Sequence, residues 1–228
     1  MTPLNRRQIA WRAAQDIQDG MLVNLGLGMP VLAADYVPAG RDVFIQSENG
    51  VIGVGVAADA AAADADLVDA GSRRITLRPG AAIVDSVASF AMIRGGHIDV
   101  TILGGFEVAE NGDFANWDSR VPDKGPLVGG AMDLAACARA VWVTMEHTTR
   151  DGAPRLLEAC ALPLTAVRCV RRVFTDLAVI DVTRDGFVVR EMLPGLDGAS
   201  LQARSGAVLR FADDCTALTV PPIAEATA

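Results

Sequence analysis

The sequence predicts an α/β protein built on a largely parallel, buried sheet. Two observations carry this. Short apolar, β-type runs alternate along the chain with stretches of helical spacing. Glycine punctuates the runs: "MLVNLGLG", "DLVDAG", "ITLRPG" and "IDVTILGG" all end on it. Length and composition agree. The chain has 228 residues, 51% hydrophobic and 21% charged, enough for one well-packed core.

Residues 4–19 read as a helix, because Leu4, Ile9, Ala13 and Ile17 fall near one face and Gly20 stops it. "MLVNLGLGMP" is a strand entering a Gly-rich turn closed by Pro30, and "VLAADYV" a short helix. "VFIQSE", "DLVDAG" and "ITLRPG" are strands, and "VAADAAAADAD" at 56–66 an exposed linker or short helix. "DSVASFAMIRGG" is helical with a Gly95-Gly96 stop, and "IDVTILGGFEVA" one long β-rich run. "GGAMDLAACA" is a helix and "AVWVTMEH" a strand. β-Rich sequence runs from "AVRCVRRVF" to "FVVREM", and "DGASLQARSG" is a last short helix. The chain reads as one domain over 1–228, with a loose tail from about 219.

Charge and cysteine usage narrow the function classes. The net charge is -8 and the pI about 4.7, which argues against nucleic-acid or anionic-membrane partners. No apolar run approaches the ~18 residues that suggest a membrane span. "MTPLNRRQIAWRAAQDIQDG" lacks the apolar core of a signal peptide. Cys137, Cys160, Cys169 and Cys215 have no metal-type spacing and read as reduced thiols of a cytoplasmic protein. Two histidines, His97 and His147, with no cysteine pair, predict no metal site. His97 reads as a structural residue at a strand entry. "GLGMP" at 26–30 lacks the third glycine of a dinucleotide fingerprint, so Gly26 and Gly28 read first as a tight turn.

"VFIQSENGVIGVGV" at 43–56 poses a sharper question. Asn-Gly between two β-type runs signals a hairpin, and pattern alone favours that. Two details weigh the other way. Gly50, Gly53 and Gly55 clear side chains from the flank of Glu48, leaving room for a ligand arm. A carboxylate at a strand end also lies where α/β folds place ligands.

"QSENGVIG" resembles the active-site signature of the B subunit of family I CoA-transferases, which move coenzyme A from succinyl-CoA to a 3-oxoacid. "DGMLVNLGLGMP", "ADLVDAG", "SFAMIRGGHID", "GDFANW", "GGAMDLA", "MEHTTRDG" and "LPLTAVRCVRRVFTDLAVIDVT" resemble the family in the same order, over roughly 5–210. The resemblance implies a three-layer α/β/α fold. It implies that Glu48 is a nucleophile that becomes a CoA thioester, and that the backbone N–H of Gly130 stabilises an oxyanion. Gly26, Gly28 and Gly129 would border the acyl-CoA channel, with Asn49 and Gly50 beside the nucleophile. Asn49 either orients Glu48 or supplies a positive φ. Where the family has lysine after "DAG", this chain has Ser72-Arg73-Arg74, so Arg73 is the candidate for a CoA phosphate.

Segment 116–134, "NWDSRVPDKGPLVGGAMDL", resembles the subset acting on 3-oxoadipate. Arg120 and Lys124 are either ligands for that acid's second carboxylate or surface charges. Glu107 and Glu146 read as packing or interface residues, and Arg6, Arg7 and Arg12 as a solvated helix face. The A-half motif is absent, since Gly104-Gly105-Phe106 continues as "EVAENGD". A separate A subunit is therefore implied, with CoA as substrate and no permanently bound cofactor. The alternatives are a general succinyl-CoA:acetoacetate enzyme and a non-catalytic acyl-CoA-binding relative.

Overall fold

A computed structural model describes residues 2–57, 64–122 and 125–224. The first helix, α1, spans Arg6–Gln15 and is shorter than the 4–19 read from periodicity. A capping box sets its start: the Asn5 side chain accepts from the Gln8 N–H, and the Gln8 side chain from the Asn5 N–H. Strand β1 is Leu22–Leu25, followed by a 3₁₀ segment, Pro30–Tyr36. Then come β2 (Phe44–Ser47), β3 (Val51–Ala57), β4 (Ile75–Ile83) and α2 (Ser86–Arg94). The next elements are β5 (Val100–Gly104), β6 (Glu107–Ala109), β7 (Phe114–Ala115), α3 (Ala131–Cys137) and β8 (Ala140–Thr144). The chain continues through β9 (Leu156–Leu157), β10 (Val170–Phe174), β11 (Ala178–Thr183), β12 (Gly186–Met192), α4 (Gly198–Gln202) and β13 (Leu209–Ala217).

Ten strands form the main sheet in the order β13-β12-β11-β10-β8-β5-β1-β2-β3-β4. The middle, β10-β8-β5-β1-β2, is parallel throughout. On the flanks β10–β11, β11–β12, β2–β3 and β3–β4 are antiparallel, while β12–β13 is parallel across α4. β1, β5 and β8 are buried at consecutive positions, so both faces of the central sheet are covered. α1 packs on β8 and β10, and α3 on β5. Strands β7-β6-β9 make a separate small sheet. No helix among the described residues is long and apolar enough to cross a membrane.

Several expectations need correction. "DLVDAG" forms no strand, only an isolated bridge between Val68 and Arg74. β4 runs on through Pro79-Gly80, where the reading stopped it; it is an edge strand, where a residue without an N–H is tolerated. β5 and β6 break at Gly105 and belong to different sheets. The 56–66 segment begins inside β3, and 58–63 lie outside the described residues. β13 was not anticipated: its exposed Asp213-Asp214 give no apolar pattern, as suits a charged edge. The segment after β13 is tied down, because the Asn5 and Gln8 side-chain amides donate to the carbonyls of Ile223 and Pro221.

Ion pairs fasten α1 to the sheet. Arg12 bonds Asp16 and Glu191, and Arg172 bonds Asp16 and Asp181. Arg190 also donates to Asp181 at 2.7 Å. Burial alone would raise the Asp181 pKa, but hydrogen bonds from Arg172 and Arg190 outweigh it and hold the carboxyl below its ordinary range. A depressed carboxylate stabilises the fold above its unfolded pKa and loses that contribution as pH falls through the folded value. Asp181→Asn is expected to cost about 1 kcal/mol at neutral pH after allowance for solvent screening. Its deficit against wild type should shrink as pH drops below the ordinary aspartate range, measured by urea unfolding across pH.

Candidate active site

The parallel strands β8, β5, β1 and β2 end side by side, and a cavity of about 530 Å³ opens there. In open α/β sheets the carboxyl ends of the strands are where ligands bind. Gly26-Leu27-Gly28 after β1, Glu48 after β2, Gly104-Gly105 at the end of β5 and Thr144 at the end of β8 line it. The segment entering α3, from Leu127 to Ala131, forms part of the wall.

Glu48 stands on the tip of a hairpin, so both readings of its segment hold. Ser47 pairs with Val51, and the Gly50 N–H closes the turn on the Ser47 carbonyl at 3.0 Å. The glycines are not there for a ligand. Gly50 has φ 122°, and a Cβ on it would lie 2.0 Å from the Val84 carbonyl oxygen. Gly53 presses on Ala81 and Gly55 on Thr76, both on β4. Gly50 is therefore a turn and packing residue. Asn49 is exposed, has no positive φ, and donates its side-chain amide to the Val68 carbonyl at 2.8 Å. It neither supplies the turn conformation nor touches Glu48.

The side chain that does touch Glu48 was missed. Asn24, on β1, donates to Gln46 Oε1 at 2.7 Å and to Glu48 Oε2 at 3.4 Å. Gln46 Nε2 donates to Ser89 at 2.7 Å, and the Thr101 hydroxyl to Asn24 Oδ1 at 3.3 Å. Asn24, Gln46, Ser89 and Thr101 are all buried. The signal was in the sequence as one amide inside the apolar run "LVNL". Burial raises the Glu48 pKa above its ordinary value; the Asn24 amide and the turn's own backbone lower it, and nearby Asp69 raises it. The net direction is up.

Gly130 immediately precedes α3, whose first N–H groups have no intrahelical acceptor. A Cβ on Gly130 would stand 3.0 Å from the Phe90 ring and 3.3 Å from Glu48 Oε1, so backbone alone faces the carboxylate. Gly129 lines the cavity with open space beside it. Gly26 packs on Leu103, and Gly28 turns the chain with φ 84°. Thr144 has a buried hydroxyl without a partner among the described residues.

Other candidates lie away from this cavity or outside the described residues. Arg73 lies outside this cavity and is paired with Asp69 at 3.1 Å and Asp35 at 3.5 Å. Arg120 is exposed, bends at φ 51° and also lies outside it. Lys124 lies outside the described residues. Glu107 accepts from the N–H groups of Ala161 and Leu162. His147 is buried between Thr175 and Ser205, and burial pushes its pKa down to about 4. Arg6, Glu146 and Arg155 line the cavity and were not anticipated as site residues.

A family profile described as coenzyme A transferase matches residues 6–198. The chain belongs to the coenzyme A transferase family. It is 46% identical over 206 residues to the B subunit of a 3-oxoadipate CoA-transferase from Acinetobacter baylyi, covering 90% of this chain and 95% of that one. It is 43% identical over 210 residues to the beta subunit of an acetate CoA-transferase from Escherichia coli, covering 92% and 95%. An acyl-CoA transferase apoenzyme from Escherichia coli O157:H7 shares the fold, with TM-score 0.74 and 21% identity, covering 96% of this chain and 44% of that one.

The opposed influences on Glu48 can be measured in this transferase chain. Its carboxyl should titrate above the ordinary glutamate range in a carbon NMR titration. Asn24→Ala removes an influence that lowers the pKa, so the midpoint should move further up; a downward shift would contradict the assigned hydrogen bond.

Proposed function

We propose that this chain is the B subunit of a succinyl-CoA:3-oxoacid CoA-transferase that uses 3-oxoadipate as acceptor. One observation carries the reading: Glu48 stands in the cavity with the backbone of Gly130 beside one oxygen and the Asn24 amide beside the other. The ionised carboxylate attacks the thioester carbonyl of succinyl-CoA. Collapse expels CoA thiolate and leaves a succinyl-glutamyl anhydride. The thiolate attacks the glutamyl carbonyl, releasing succinate and leaving CoA as a thioester on Glu48. The acceptor acid repeats the sequence in reverse. A carboxylate is a weak nucleophile, so the oxyanion formed at each attack needs fixed donors. The N–H groups at the start of α3, Gly130 first, are suited to that task. CoA contributes binding energy from its long non-reacting arm. Gly26, Gly28 and Gly129 give that arm backbone to lie against.

The acceptor is inferred from segment 116–134. Asn116 and Leu127–Gly130 both border the cavity, and Asn116 is held by Gly104 and Thr165. The sequence that differs between acceptor classes is thus part of the wall. Overall identity does not choose, since relatives named for 3-oxoadipate and for acetate match almost equally. Rates with 3-oxoadipate, acetoacetate and acetate in one assay decide it: 3-oxoadipate should have the highest kcat/KM. The reaction is assigned to the cytoplasm on the four unpaired thiols.

A missing A-half motif, together with relatives named as single subunits, supports a separate A subunit. The purified chain alone should show at most trace turnover, restored by adding the A subunit; full activity of the lone chain would refute this.

Glu48→Gln keeps shape and hydrogen bonding, whereas Glu48→Asp keeps charge and retracts it by one methylene, and such misalignment can cost ~100-fold. Both should fold, assemble and lose nearly all activity. Digestion after incubation with acyl-CoA should find CoA on the Glu48 peptide, and borohydride should trap it as the alcohol. Near-normal turnover by Glu48→Gln, with deamidation excluded, would overturn the mechanism.

A further inference from the structure

Four charged side chains line the cavity: Arg6, Glu48, Glu146 and Arg155. Arg155 and Glu146 face each other at 3.9 Å and offset one another. Glu48 is the reacting carboxylate under the reading above. Arg6 is left over. It is exposed, sits at the first position of α1, and has no ion pair or hydrogen bond among the described residues. Arg73, by contrast, is already paired with Asp69 and Asp35.

Its position is fixed against β1. Asn24 pairs with Gln46 in parallel register, and β1 leads on through Leu25 into the cavity at Gly26. Gly28 lies two residues further on, at most about 7 Å along an extended chain. Arg6 Nη2 is 3.5 Å from the point a Gly28 Cβ would occupy. A guanidinium and the Glu48 carboxylate therefore line the same cavity. Succinyl and 3-oxoadipyl groups each carry a second carboxylate, about 4 Å and 6 Å from the reacting carbon given C–C bonds near 1.5 Å. A flexible arginine at the rim can meet both lengths.

The geometry points to Arg6 as the residue that binds the distal carboxylate of dicarboxylic acyl groups, in donor and acceptor alike. This replaces Arg120 in that role and rests on the transferase reading. It explains how one cavity can serve succinate and a longer oxo-diacid, and disfavour acids ending in methyl.

The test uses the assembled complex with its A subunit. Succinyl-CoA/3-oxoadipate transfer is compared with acetoacetyl-CoA/acetoacetate exchange for wild type, Arg6→Gln and Arg6→Lys. Arg6→Gln should lower the ratio of the dicarboxylate to the monocarboxylate kcat/KM by about tenfold, the lower end for a lost charge-assisted bond. Arg6→Lys should recover part of it. If monocarboxylate exchange is too slow to measure, the inhibition constants of adipate and hexanoate give the same ratio. An unchanged ratio overturns the inference, and so does an equal loss in both reactions, which would place Arg6 on CoA. Absence of any acyl exchange by the wild-type complex would instead overturn the transferase reading.

Discussion

The site depends on one buried contact, the Asn24 amide between Gln46 and Glu48. Asn24 sits mid-strand in β1, fully buried, and so do its partners Gln46 and Thr101. An unpartnered amide there would cost roughly 1–3 kcal/mol, so the bonds fix how β5, β1 and β2 lie against each other. That register determines where the β2 turn points. Slip it by one residue and Glu48 would face away from the cavity. A single amide thus couples sheet alignment to the position and basicity of the carboxylate.

Glu48 experiences opposing influences by construction. Burial raises its pKa and makes it more basic, while Asn24 keeps the anion accessible. Asp69, although paired with Arg73, adds a smaller upward push. Arg73 thereby has a reason for being in its place that involves no phosphate. In "DAGSRR" Arg73 forms a local ion-pair cluster with Asp69 and Asp35.

The parallel core was legible because buried strands such as β8, which opens "AVWV", carry uninterrupted apolar runs, and helices such as "SVASFAMIR" are bounded by their own cap and glycine stop. What was hidden lay at the edges. β13 and the Pro79-Gly80 stretch of β4 obey the chemistry of exposed edges, which leaves no apolar period to read. In the site, Glu48 and Gly130 were singled out through the family resemblance of "QSENGVIG" and "GGAMDLA", since pattern alone favoured a plain hairpin and a helix start. Asn24 and Arg6 were not, since each acquires its role from a neighbour distant in the chain: Gln46 and Glu48 for one, the Gly28 turn for the other.

The glycines near Glu48 play two different parts. Gly50, Gly53 and Gly55 look like clearance for a ligand, yet each is filled by protein: the Val84 carbonyl, Ala81 and Thr76. Gly130 looks like a helix start, yet the space a Cβ would take is bounded by Phe90 and the Glu48 carboxylate. The first three build the hairpin that carries the carboxylate, and the last keeps its approach open. Substituting any of them would impair the site, but by different routes: strain in the turn for Gly50, and crowding of the reacting oxygen for Gly130. Only the second acts at the chemistry itself.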